Sequence, residues 1–173
     1  MRRDHPEGRM TNAAHRSMPT LSQWLRVKLF HGWFLLRRPM TLGVRGIVHD
    51  EAAGAVFLIR HTYINGWQLP GGGVEVGETM RLSLERELSE EGNIELTGEP
   101  RLVSIHLNRQ ASRRDHVALY LVSDYHQTTP KLPDHEIAEA GFFPLDALPE
   151  GTTPATRRRL AEVFGGASAD LHW

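Results

Sequence analysis

From Leu21 to Arg38 the apolar residues Leu21, Trp24, Leu25, Val27, Phe30 and Phe34 recur near helical spacing, with Arg26, Lys28, Arg37 and Arg38 between them. The pattern predicts one basic amphipathic helix over residues 20–39, ended at Pro39. Such a helix suits an anionic membrane surface or a protein partner. Gly32 and the irregular stripe favour packing on its own domain or on a second subunit, so a homodimer is an expectation and stable membrane insertion is not. Residues 1–19 are polar, carry Pro6, Gly8 and Pro19, and show no apolar periodicity. They read as a disordered leader, or as an over-called start with Met10 or Met18 as the true beginning.

Beyond Pro39 the pattern shortens to strand length. Thr41 to His49 and Ala55 to Arg60 read as two strands of a hairpin around the turn Asp50 to Gly54. Asn65-Gly66 marks a further turn before Trp67, Gln68 and Leu69 lead into Pro70-Gly71-Gly72-Gly73. Strands are expected at Arg101 to Leu107, at Val117 to Ser123 and, briefly, at Gly141 to Phe143. Helices are expected from Thr79 to Glu91 and from Pro154, behind Thr153 as its cap.

Composition narrows the function classes. The chain has 173 residues, 20 Lys plus Arg against 21 Asp plus Glu, and no Cys. That excludes a disulfide scaffold, cysteine-ligated zinc and thiol catalysis, and it fits a reducing, cytoplasmic setting. The near-neutral charge lacks the broad basic footprint of a duplex nucleic-acid binder, yet leaves a nucleotide-sized anion open. The most apolar run, Leu29 to Leu36, is too short to span a bilayer and contains His31 and Gly32.

The candidate chemistry lies between Gly71 and Ile94. Three consecutive glycines let a backbone approach a ligand closely, although such clusters are more often plain turns. On the helix that follows, Glu87, Glu90 and Glu91 fall within an arc of about 100 degrees, beside the apolar stripe Met80, Leu84 and Leu88. Like charges at this spacing destabilise a helix, and partial burial adds to the cost. A solvated face of ordinary ion pairs among Arg81, Glu85, Arg86 and Glu90 is the plain alternative. Yet one arginine, Arg86, does not neutralise three clustered carboxylates, whereas a divalent cation does. All-oxygen ligands favour Mg2+ or Mn2+, completed by waters and substrate phosphate oxygens.

The run Gly72, five residues, Glu78, seven residues, Arg86-Glu87-Leu88, one residue, Glu90-Glu91, one residue, Asn93-Ile94 resembles the Nudix hydrolase signature. Its one departure is Asn93 where the family has glycine. Asn is the best non-glycine residue for the left-handed backbone expected there. The resemblance implies an α/β fold, an α/β/α sandwich around a mixed β-sheet, over residues 40–173, with the helix over 20–39 added to it.

The same resemblance implies metal-dependent hydrolysis of a nucleoside diphosphate linked to another moiety, by a metal-activated water. By position, Glu87, Glu90, Glu91 and the Gly71 carbonyl look like metal ligands, and Arg86 like the residue that orients the glutamates. Gly72 falls on the first position of the signature, in the loop. Glu78 resembles the residue that steadies loop and helix, while a helix N-terminal acid is an equal reading. Glu91 is one catalytic candidate; Glu136 is the candidate base from a later loop, with Glu139 as its competitor and solvated loop charges as the plain reading of both.

Arg60, Arg109 and Arg113, with Arg114, are candidates for the non-reacting phosphates. Trp67 or Tyr63 would stack a base, although packing is the commoner role, and His106 and His116 read as pocket lining or surface. A sugar nucleotide, an oxidised nucleotide or a capped RNA end all suit this chemistry. The alternative to an enzyme is a Nudix-fold nucleotide-binding regulatory module without turnover.

Overall fold

The computed structural model describes Trp33 and residues 39–173. The leader over 1–19 and all but Trp33 and Pro39 of the expected helix over 20–39 lie outside the described residues, and with them the expected homodimer contact. Met40–Trp173 forms one compact unit.

Its elements run β1 (Thr41–Asp50), β2 (Ala55–His61), α1 (Met80–Gly92), β3 (Ile94–Leu96), β4 (Arg101–Leu107), β5 (Asp115–Val122), β6 (Tyr125–Gln127), β7 (Ile137–Pro144) and α2 (Pro154–Phe164). Five strands make a sheet in the order β4-β5-β1-β2-β7, and β3 pairs with β6. β1 runs parallel to β5 while the other pairs are antiparallel, so the sheet is mixed. Central strands covered on both faces must be apolar nearly throughout, and Val56, Phe57, Leu58 and Ile59 of β2 are all buried.

The two helices cover opposite faces. Leu84 and Leu88 of α1 pack with Val44, Val48, Phe57 and Ile59, whereas Leu160 of α2 packs with Ile47, Val56, Leu58 and Leu119. Strand alternation assigns Val44 and Val48 to one layer and Ile47 to the other. This is the expected α/β/α sandwich. Gly46 lets α1 approach, since an added Cβ would stand 3.1 Å from Leu84 Cδ1. Thr79 caps α1 by accepting from Leu82 N–H, and Thr153 caps α2 ahead of Pro154.

The hairpin of β1 and β2 is real but short. The strands pair directly only at His49↔Val56 and Asp50↔Ala55, then splay. The glycine segment fills the opening as an inserted strand. Ile59 and Gln68 exchange both backbone hydrogen bonds, Gly46 N–H donates to Pro70 O, and Val44 N–H donates to Gly72 O (2.9 Å). Splayed central strands would otherwise bury unpaired N–H and C=O groups. The Pro70–Gly73 run is therefore held in the middle of the sheet.

Strand limits differ modestly from expectation. β5 begins at Asp115 instead of Val117, and the short strand at Gly141 to Phe143 grows into Ile137–Pro144 by pairing along β2. His106 is a correction: it is fully buried, not pocket lining or surface. Its Nδ1 lies 2.6 Å from Arg159 Nη1 and 2.7 Å from the Asp170 carbonyl, and Nε2 lies 2.6 Å from Ser104 Oγ. Arg159 also bonds Glu162 and the His172 carbonyl, and Trp173 stacks over it. This network pins residues 171–173 along β4 through Leu107.

Candidate active site

Three- and four-residue spacing brings Glu87, Glu90 and Glu91 to one side of α1, but their surroundings differ. Glu91 is buried, Glu87 is partly buried and Glu90 is exposed. Glu91 Oε2 accepts the Gly71 N–H at 2.6 Å, while Oε1 lies 3.6 Å from His61 Nε2, beyond hydrogen-bond range. Burial pushes the Glu91 carboxyl up to about 8; Glu87 and Glu136 reinforce the rise, and the Gly71 N–H and Arg45 oppose it. Burial also raises Glu87, against the Arg86 hydrogen bond.

Arg86 is the hub of the loop and helix. Nε and Nη2 fork onto the two oxygens of Glu78 at 3.1 and 3.2 Å, Nη1 donates to Glu87 (2.7 Å) and reaches Glu90 (3.4 Å), and Nη2 meets the Gly73 carbonyl. These contacts raise the Arg86 pKa, Glu78 most of all. Glu78 also accepts from Glu75 N–H and precedes the capping Thr79, so it ties the loop to the helix instead of serving as a first-turn acid.

A second guanidinium was not found from sequence. Arg45, on β1, donates through Nη1 to the carbonyls of Leu69 (3.2 Å) and Gly71. It feels the charges of both Glu91 and Glu87. Two arginines therefore share the carboxylate charge, which corrects the expectation that Arg86 alone faces it. The signal was present: Arg45 is the single charge inside the run Leu42–Val48, and an arginine amid strand residues needs a polar reason to be there. His61 and Tyr63 lie in the field of the same guanidinium. Their rings meet at 4.9 Å, and burial, with Arg45, lowers the His61 pKa and keeps that ring neutral.

The Gly71 turn admits no side chain. Its φ is 135°, and an added Cβ would collide with the Val44 carbonyl. A Cβ on Gly72 would strike the Glu87 carboxylate. Glu87 and Glu91 thus meet Gly71 and Gly72 in one place, and Glu90 joins them through Arg86. After α1, Asn93 takes the left-handed backbone (φ 52°, ψ 37°) and caps the carbonyls of Leu88 and Ser89.

Among the described residues no three His, Asp or Glu side chains form a ready-made cage for a metal ion. Arg86 holds Glu87 and Glu90, and Arg45 engages the Gly71 carbonyl. The donor set nevertheless fits a hard cation. It is all oxygen, and Glu91 is a buried residue whose Oε1, 3.6 Å from His61 Nε2, makes no hydrogen bond among the described residues, so its charged form needs a counter-charge.

Comparison with known proteins identifies this arrangement. The model of the NUDIX domain matches residues 39–164. The chain belongs to the NUDIX family. A MutT NUDIX hydrolase from Burkholderia pseudomallei is similar in structure, with TM-score 0.61, 26% identity, and coverage of 71% of this chain and 97% of that one. An ADP-ribose pyrophosphatase from Streptococcus suis shares the fold at TM-score 0.55 and 23% identity, over 77% of this chain and 95% of its own. A segment of 46 residues, 27% of this chain, is 48% identical to an RNA pyrophosphohydrolase of Alkalilimnicola ehrlichii, and spans only 25% of that relative's length.

Outside the Nudix glutamates the expected residues scatter. Glu136 Oε1 accepts from Tyr63 O–H (3.3 Å), and the Glu136 carbonyl accepts from Thr62 N–H, which ties its loop to the end of β2. Glu139 pairs with Arg60 across the strands, and Arg60 also lies over Trp67. Trp67 packs edge-on against Phe143, so its role is packing. Arg109 and Arg113 line a cavity of about 420 Å³ with Leu107, and neither hydrogen-bonds to Glu87, Glu90 or Glu91. Among the described residues no helix is long and apolar enough to cross a membrane.

Proposed function

We propose that the protein is a metal-dependent hydrolase that cleaves the diphosphate linkage of a nucleoside diphosphate joined to another moiety. The observation that carries the proposal is Glu91: a buried carboxylate on the helix that also bears Glu87 and Glu90, with one oxygen lacking a donor.

Glu87, Glu90, Glu91 and the Gly71 carbonyl would hold Mg2+ or Mn2+. When bound, the cation acidifies a water and offsets charge on the phosphate oxygens. Arg86 fixes the rotamers of Glu87 and Glu90, with Glu78 gripping its other edge, so the ligand oxygens are set before substrate arrives. Glu136 would take the proton of the attacking water. Tyr63 holds its Oε1 and leaves the second carboxylate oxygen open for that transfer. Arg113 and Arg109, and Arg60 if released from Glu139, would contact phosphates that do not react.

The supporting comparisons are the NUDIX match across residues 39–164 and the likeness to the MutT hydrolase. Nucleotide sugars, oxidised nucleoside triphosphates and RNA carrying a 5′ cap or triphosphate are the substrates to test. Incubation with each, with Mg2+ or Mn2+, and assay of released phosphate or phosphomonoester tests the reading. The expected outcome is metal-dependent turnover of at least one compound, lost in Glu91→Gln. Tight nucleotide binding without turnover under either metal would mark a binding module instead.

A further inference from the structure

Among the described residues Arg45 forms no ion pair. Its Nη1 rests on the carbonyls of Leu69 and Gly71, and among the described residues Nε and Nη2 make no hydrogen bond. Glu91, Glu87 and Asp115 all act on it through space, yet none forms an ion pair with it. Partly buried guanidinium groups are ordinarily matched by a carboxylate or another anion, because their desolvation must be offset. Here one edge is fixed by backbone and the other is left for something the described residues do not supply.

Gly43 precedes Arg45 by two residues on the same face of β1, and its missing side chain lets the Gly72 carbonyl come close, 3.2 Å from where a Cβ would stand. The Gly71 turn does not depend on Arg45 for its position, because β1 holds it on either side through Pro70 O and Gly72 O. Arg45 is therefore not needed to build the loop.

We infer that Arg45 is a phosphate-binding residue of this site, which presents its free guanidinium edge to an oxyanion of the diphosphate beside the Gly71 turn. This rests on the phosphoanhydride-cleaving reading above and adds the residue that grips the bridge. A planar fork fixed at one nitrogen suits a phosphoryl group better than a mobile lysine does, since less freedom is lost on binding. The same contact would draw Arg45 charge toward the ligand and away from Gly71.

The test is calorimetric titration of the full chain, in Mg2+, with methylenediphosphonate, whose P–C–P link resists hydrolysis. Wild type is expected to bind it. Arg45→Met is expected to bind about 10-fold or more weakly, the loss of one charge-assisted contact, and Arg45→Lys to fall between because the charge stays and the fork goes. Mg2+ affinity measured alone should hold or rise in Arg45→Met, since a neighbouring positive charge has been removed. Where thermal unfolding shows Arg45→Met unfolded, Arg45→Lys decides. Wild-type affinity in the folded variants, a parallel loss of Mg2+ binding, or no binding by wild type overturns the inference. Failure of the hydrolase reading looks different: the wild type binds the diphosphonate through Arg45 but turns over no phosphoanhydride.

Discussion

Gly71 donates its N–H to Glu91 Oε2 across 2.6 Å, which joins the strand inserted between β1 and β2 to the last turn of α1. Gly71→Ala attacks that joint twice, by forcing a side chain onto φ 135° and by driving Cβ into the Val44 carbonyl. The backbone strain alone is about 1–3 kcal/mol. Thermal unfolding should show a fall of roughly 2–4 °C for each kcal/mol lost. An unchanged midpoint would mean that the turn is not held as described.

Glu91 also makes the metal-free protein sensitive to base. Its folded-state pKa of about 8 lies above the ordinary 4.5, so the folded chain holds the proton more tightly than the unfolded one. The stability this confers is complete below 4.5 and is lost as pH rises through about 8. In chelator, Glu91→Gln should flatten that decline and unfold at a higher temperature than wild type on the alkaline side. A parallel pH profile in the two proteins counts against the buried, donor-poor carboxylate.

His106 acts in the opposite direction. Burial and Arg159 hold its pKa below the ordinary 6.5, and burial with Arg45 does the same to His61. Unfolding in acid lets both rings take up protons, so this contribution is present above 6.5 and lost as pH falls through the folded-state values. Urea unfolding across that range should show the loss. His106→Asn should start less stable at neutral pH and lose less on acidification.

In the proposed reading Arg86 would orient the metal ligands without being one. Arg86→Met removes the fork from Glu78 and the contacts to Glu87 and Glu90, so turnover under saturating metal should fall about 10- to 100-fold with the fold retained. Steady-state kinetics beside a circular dichroism spectrum checks this. Full activity in the variant would reduce Arg86 to an ordinary ion pair.

Much of this architecture was readable in the chain. Thr153 ahead of Pro154 announced its helix through cap chemistry, and Glu87, Glu90 and Glu91 declared a shared face through spacing alone. Asn93 was legible as a left-handed cap because few other residues tolerate that backbone. What escaped depended on long-range partners. β3 and β6 are three residues each, too short for any period, and exist through the pairing of Ile94 with Gln127. The splay of β1 from β2 is invisible locally, because only the distant Gln68–Val74 segment fills it. Arg45, His61 and Tyr63 reach the site by that route. His106 reads as pocket lining or surface from its local sequence, and its buried partner Arg159 lies 53 residues away.

The most direct measurement is calorimetric titration of the metal-free chain with Mn2+ at pH values below and above 8, in buffers of differing ionisation enthalpy. The account predicts binding that releases protons on the acid side of that value, affinity rising with pH and levelling above it, and loss of the proton release in Glu91→Gln. No Mn2+ binding at any pH, with nucleotide present or absent, would contradict it.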